Sequence, residues 1–361
     1  MTYLCQLAHT QLDKPTRHTN TDIGIEAIRG IFTLLILTVW ISFGSLIYIC
    51  IHTLLNQPTL IDGLLSSAII LLCGWAFFPR LDSPPPDMLC LNESEFPAIY
   101  GMVAQVADVL GVPMPKIILT QQYTAGFGRF GWRHVPVLFL GHGLLSLTNR
   151  HETTMLLAHE LYHAIDSGWG QTRPAKITVG GLRRLLNLLA LQPLHKTAEV
   201  PLPLRLPLAP LMLLTCAFQW CMAYEMRYIE ARADEAALVI SPSCVMETLL
   251  RKSTFQHVPP VQDAYADASP SQKYDAIRDA ADDIDPVGFA RLWGGVLQAA
   301  PHPFDRHPTV AQRIALAQQI GQQRVRPILP MVRYNLAHQE LKRWPVWLDE
   351  IDKVLSPYLE D

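Results

Sequence analysis

Two long stretches in the first quarter of the chain show no alternation of polar and apolar positions. Residues 31–52 contain no charged side chain, and residues 60–78 contain only Asp62, close to their start. A helix needs about 20 predominantly apolar residues to cross the hydrocarbon core of a bilayer. Both runs therefore predict membrane helices, joined by the uncharged connection 56–59 into a hairpin. A secretory signal has a shorter apolar region and a small-residue cleavage site, so the first run reads as an anchor. Lys14, Arg17 and Arg29 precede the hairpin, Arg80 follows it, and the connection holds neither Lys nor Arg. By the positive-inside rule both outer flanks lie in the cytoplasm.

The pattern changes after Arg80. The three consecutive prolines in residues 82–87 predict a short, stiff spacer, because proline fixes the backbone in an extended form. Residues 95–110 have helical apolar spacing, 116–120 and 135–140 read as strands, and the glycine-rich stretch 125–131 reads as the connection between them. Two further apolar stretches follow. Residues 177–194 are interrupted by Arg183 and Arg184 and fit an interfacial, re-entrant or amphipathic helix as well as a span. Residues 206–224 carry no charge and are close to the lower limit of spanning length, with Pro207 and Pro210 expected in the first turn, where a missing donor costs least. The polar, acidic stretch 253–285 predicts a mobile surface insertion followed by helices, and 310–323 is again helical. The expected organisation is a polar cytoplasmic N-terminus (1–30), a transmembrane hairpin (31–80), a catalytic-type domain (88–330) interrupted by 177–194 and 206–224, and a helical C-terminal tail (331–361). The fold class is α+β, mostly helical, with a small β-sheet and transmembrane helices.

Composition agrees with insertion in a bilayer. Half of the 361 residues are hydrophobic and 17% are charged, and the mean hydropathy is positive. The net charge of −3 comes without a basic stripe, which argues against a nucleic-acid partner, since displacing phosphate counterions takes clustered Lys and Arg. The seven cysteines form no CxxC pair, so neither a zinc ribbon nor a disulfide framework is expected.

The candidate chemistry centres on His159-Glu160-Leu161-Tyr162-His163. Asn149, with Glu152 three residues later, marks the start of a helix by a reciprocal capping box, and Gly168 stands where that helix is expected to stop. One helical turn separates His159 from His163, so both imidazoles can reach one Zn²⁺ at about 2 Å. Glu160 beside them suits a general base that takes a proton from water and returns it to a leaving amine. A catalytic zinc takes three protein ligands and keeps a position open. Glu230, in the sequence Glu230-Ala-Arg-Ala-Asp234, can be the third. Asp234, one turn later, can accept a hydrogen bond from the far nitrogen of a ligating histidine and so support the metal at one remove. A chance HExxH on a structural helix, and a solvent-facing Glu230 in a charged stretch, are the plainer readings of the same residues.

Taken together, four features resemble the HtpX-like membrane metallopeptidases, a family that includes the CAAX prenyl proteases. They are Gly143-Leu-Leu145 entering the first active-site helix, the HELYH run, Glu230 to Asp234, and Arg306-His307-Pro308 followed by Gln312-Arg313-Ile314. The resemblance covers roughly residues 95–319 and the hairpin in front. It implies a gluzincin (zincin-type) fold, one Zn²⁺ per chain held by His159, His163 and Glu230, and Glu160 as base. It also implies that His307 lies near the metal, where it can stabilise an oxyanion or cap the resting zinc. Polypeptide substrates, chiefly membrane or misfolded proteins, and a place in a bacterial inner membrane with the catalytic domain facing the cytoplasm are further implications. Where the family often has Asn-Ala-Phe on the strand edging the cleft, this chain has Thr124-Ala-Gly-Phe127. No histidine follows His163 at the usual distance, and Asp166 occupies that neighbourhood. An unbroken helix from Tyr224 would carry Glu230 about 9 Å beyond the apolar segment, which predicts an active site close to the membrane surface. Two rivals stand beside the endopeptidase: a prenyl-peptide protease, for which the chain has too few apolar segments to enclose a chamber, and a non-catalytic membrane adaptor that uses the cleft for binding.

Overall fold

The computed structural model describes residues 19–56, 59–79, 90–131, 133–166, 168, 172–188, 202–320 and 328–359. In chain order its elements are α1 (Thr19–Leu55), α2 (Leu60–Phe77), α3 (Pro97–Leu110), β1 (Lys116–Thr120), β2 (Ala125–Phe130), β3 (Val135–Gly141), α4 (His142–Leu147), α5 (Arg150–Tyr162), α6 (Arg173–Leu188), α7 (Leu202–Ile240), α8 (Cys244–Ser253), α9 (Pro259–Asp267), α10 (Lys273–Asp282), α11 (Pro286–Gln298), α12 (Val310–Ile320) and α13 (Met331–Leu359). Among the described residues the chain is mostly helical with one small sheet.

Among the described residues, Gly24–Leu55 and Leu60–Phe77 are the segments long and apolar enough to cross a membrane. Their outward faces carry Leu34, Ile41, Ile49, Leu64 and Leu71, all exposed, as a lipid-facing surface requires. α1 begins well before residue 31, the expected edge of the anchor. The reason is amphipathic spacing: Ile25, Ile28 and Phe32 are buried, while Glu26 and Arg29 pair on the helix surface at 3.0 Å. The 82–87 spacer lies outside the described residues.

One cluster joins the hairpin to two later helices. Phe32, Ile36 and Val39 of α1 and Ala76 and Phe77 of α2 pack with Ala175 and Leu182 of α6 and with Phe218 and Cys221 of α7. α6 is amphipathic, with Thr178 and Leu186 buried and Arg183 exposed. It is tied to the hairpin where Trp40 Nε1 donates to Thr178 Oγ1 at 3.0 Å. α7 begins at Leu202, so Pro207 and Pro210 lie beyond its first turn and not within it as expected. Each removes one backbone donor, yet the rest of the ladder carries the helix unbroken to Ile240.

The principal core lies around α5. Residues Glu152 to Tyr162 of this helix are all buried, and Leu157 and Leu161 join Ile99, Val103, Leu138, Leu140, Leu238 and Leu249. α13 belongs to the same core through Ala337, Leu341 and Trp344. Its Glu340 also accepts from the Ala98 and Ile99 amides at 2.8 Å each, giving α3 the N-terminal cap that its Phe96 lacks.

Three expectations are corrected here. The stretch 125–131 is not a connection: it forms β2, antiparallel to β3, in a sheet of order β1-β3-β2, with β1 and β3 parallel. Its four small residues hid a strand that backbone pairing supplies. The stretch 253–285 is not a mobile insertion, because Val261, Tyr265 and Ile277 are buried against Tyr123. Finally, Gly143 to Leu145 form the separate short helix α4 and do not enter α5.

Candidate active site

α5 starts as the spacing predicts. The Asn149 side chain accepts from the His151 and Glu152 amides at 2.9 and 3.0 Å, and Glu152 Oε2 accepts from the Asn149 amide at 2.7 Å. Such a reciprocal cap contributes about 1 kcal/mol. The helix ends at Tyr162, with His163 as its C-cap still in right-handed conformation, well before Gly168. Gly168 has φ +71° and sits against Ile229 and Glu225 of α7, where an added Cβ would collide with Ile229, so this position calls for glycine after the helix has ended.

Early termination does not separate the two histidines. His159 Nε2 lies 3.2 Å from Glu230 Oε2 and His163 Nε2 lies 3.5 Å from Glu230 Oε1. One donor atom from each of His159, His163 and Glu230 falls within 4.8 Å of the other two. α5 presents both imidazoles from one face, and α7, packed along it, brings Glu230 across. Asp234, one turn further along α7 and fully buried, has Oδ1 2.9 Å from His159 Nδ1. His307, ahead of α12, brings Nδ1 to 3.0 Å from Glu230 Oε2 and is largely exposed. Asp166 is occupied elsewhere, accepting from the Gly168 amide at 3.1 Å.

These donors suit a metal cation such as Zn²⁺ on the chain's own evidence. Two imidazoles and one buried carboxylate bring nitrogen and oxygen donors to a single point, the donor set a zinc site uses. Glu230 Oε2 is buried without a well-directed hydrogen bond in spite of its close neighbours, which leaves a lone pair available to an ion. Burial works against charging His159, but Asp234 and Glu230 outweigh it and raise its pKa to about 10. Burial and the neighbouring His159 push His163 down to about 4. Burial raises the Glu230 carboxyl, yet the surrounding His159 and His307 hold it below its ordinary range. Burial raises the Glu160 carboxyl above its ordinary value, the direction a general base near neutrality requires.

The site opens into a cleft of about 260 Å³ lined by Ala125 to Arg129 of β2, by His159, Glu160 and His163, by Met226 and Glu230, and by His307. A larger groove of about 750 Å³ between α3 and α13 lies away from the three ligand candidates. β2 is an edge strand, so an extended peptide can add to it by backbone hydrogen bonds. Arg129 ties that edge to the end of α5, with Nη2 donating to Ala164 O at 2.7 Å. Arg227 steadies the loop ahead of His307, with Nη1 donating to Pro303 O and Asp305 O at 3.1 and 2.7 Å. Sequence reading assigned no part to Arg129, Met226 or Arg227. Their partners are backbone carbonyls or open cleft, which leave no mark on spacing.

Over 74 residues the chain is 36% identical to a protein named protease HtpX homolog from Desulfatibacillum aliphaticivorans. The match takes in 20% of this chain and 24% of that protein, about a quarter of the relative's length. No family model matches the chain, and no solved structure matches it.

Proposed function

We propose that the chain is a membrane-anchored zinc metalloendopeptidase with the zincin-type fold of the HtpX-like family. The observation that carries this is the convergence of His159, His163 and Glu230 beside Glu160, in a cleft bordered by an edge strand. The partial similarity to a protein named as a protease, and two helices long enough to cross a bilayer, support the same reading.

His159, His163 and Glu230 would hold the ion. When bound, zinc would supply Lewis acidity that polarises a carbonyl and makes water nucleophilic near neutral pH. The rest falls to the chain. β2 aligns the peptide backbone across the cleft. Glu160, with its raised pKa, takes a proton from the attacking water and delivers it to the departing amine. Asp234 keeps the Nδ1–H tautomer of His159, leaving Nε2 for the ion. His307, beside Glu230 and open to the cleft, donates to the oxygen on which negative charge develops.

The substrates of this reading are polypeptides exposed near the bilayer, chiefly membrane or misfolded proteins, met from the cytoplasmic side of a bacterial inner membrane. The experiment is metal content by mass spectrometry on the detergent-purified chain, His159→Ala and Glu230→Ala. Near-stoichiometric zinc in the parent, lost in both variants, is expected. Well-folded parent protein that takes up no zinc when it is supplied would instead favour the adaptor.

A further inference from the structure

Arg313 has no part in the proposed chemistry, yet it is bound into the site through Asp234. Its guanidinium grips Asp234 with two bonds, Nε to Oδ2 at 2.8 Å and Nη2 to Oδ1 at 2.6 Å. Asp234 is fully buried and the Arg313 side chain is 17% exposed. The same Oδ1 faces His159 Nδ1 at 2.9 Å. One carboxylate oxygen is thus shared by an arginine and by the imidazole at the heart of the site.

Two consequences follow from elementary electrostatics. Asp234 and Glu230 place two negative charges around one imidazole in a buried site, where a carboxylate needs a partner of opposite charge. Arg313 supplies that charge. Its planar fork also fixes the plane of the carboxylate, which a point charge does not do, and hence the direction from which Oδ1 meets His159.

The placement of Arg313 adds a further link. α12 opens on a reciprocal cap, with the Thr309 amide donating to Gln312 Oε1 at 2.9 Å and the Gln312 amide to Thr309 Oγ1 at 3.3 Å. His307 lies just ahead of this cap and Arg313 just inside the helix. The capped start of α12 therefore has His307 against Glu230 just before it and Arg313 against Asp234 just inside it.

We propose that Arg313 is a positioning residue for the metal centre, acting on His159 through Asp234, and that seating the first turn of α12 sets His307 and the orientation of His159 together. This role rests on the metal reading of His159, His163 and Glu230.

The test is zinc affinity by chelator competition on the full chain in detergent, with thermal unfolding of the metal-stripped protein recorded alongside. Arg313→Gln is expected to weaken zinc binding by about tenfold or more, the usual effect of losing a partner behind a metal ligand. Arg313→Lys, which keeps the charge and loses the fork, should fall between that variant and the parent. The double variant Asp234→Asn with Arg313→Gln should bind zinc no more weakly than Asp234→Asn alone, because the arginine acts through the aspartate. Parent-like affinity in folded Arg313→Gln, or additive losses in the double variant, would overturn the role. Should Arg313→Gln fail to fold, Arg313→Lys decides. Weaker zinc at an unchanged metal-free unfolding temperature supports the role, and parent-like zinc ends it. A parent protein that takes up no zinc would instead overturn the metal reading underneath.

Discussion

Arg29 of α1 donates to Glu225 of α7 at 3.1 Å, and the Glu225 side chain is only 4% exposed. The contact sits little more than one helical turn ahead of Glu230. It fastens the first apolar helix to the helix that carries a ligand candidate.

Arg29→Ala is therefore expected to lower stability by about 2 kcal/mol, the scale for removing a hydrogen-bonded charge from a largely buried partner. Thermal unfolding in detergent reads it. Glu26→Ala serves as the control, because Glu26 is 70% exposed on its side chain, and should move the midpoint little.

Glu160→Gln keeps the shape of the side chain and removes its basicity. Zinc content should stay at the parent level, while cleavage of a detergent-solubilised membrane substrate falls by about a hundredfold to ten-thousandfold. Undiminished cleavage would remove Glu160 from the proton path.

Gly126 separates the cleft from the fold. It lines the cleft, and a Cβ added there meets nothing within 4 Å. Gly126→Leu should leave unfolding temperature and zinc content unchanged while reducing cleavage, chiefly through a raised KM. A contrasting change is Gly141→Ala, whose added carbon would overlap the carbonyl oxygens of Gln122 and Thr124 and disturb the approach to β2 itself.

Acid sensitivity is expected from a site remote from the cleft. His142 Nε2 faces Leu341 O at 2.9 Å and its Nδ1 faces the Tyr265 hydroxyl at 3.0 Å. A carbonyl can only accept, so Nε2 carries the proton and Nδ1 accepts from the tyrosine. Burial lowers the His142 pKa from 6.5 to about 4. The unfolded chain then binds more protons between these values. This contribution to stability is complete above about pH 6.5 and lost progressively as pH falls toward 4, up to about 3 kcal/mol. His338, also held at about 4 by burial, adds in the same direction. Unfolding midpoints measured from pH 7 to 4 should fall steeply in the parent and less steeply in His142→Gln.

What could be read in advance was local. The Asn149–Glu152 cap, the one-turn spacing of His159 and His163, and an uninterrupted helix through Tyr224 to Glu230 all follow from short-range rules, and each appears in the fold. The misreadings share a tertiary cause. β2 consists of Ala125, Gly126, Phe127, Gly128, Arg129 and Phe130, and only pairing with β3 makes those glycines a strand. Val261, Tyr265 and Ile277 are too sparse in an acidic stretch to announce a buried face, and they acquire one from Tyr123. α5 stops at Tyr162, earlier than the position of Gly168 suggested, and Gly168 instead serves a close approach to Ile229 of α7. Arg313 could be quoted as part of a motif, but that its fork would close on Asp234 depends on how α12 lies against α7.

The unbroken run of α7 bears on how this protein can be handled. Leu211, Leu214 and Phe218 pack with the hairpin at one end of the helix, and Glu230 and Asp234 stand toward the other, without an intervening linker. Deleting α1 and α2 would strip the cover from a rod that the half bearing Glu230 and Asp234 cannot discard. A soluble fragment thus calls for repainting the hairpin-facing side of α7 with polar residues, since no choice of truncation point frees the site from its apolar half.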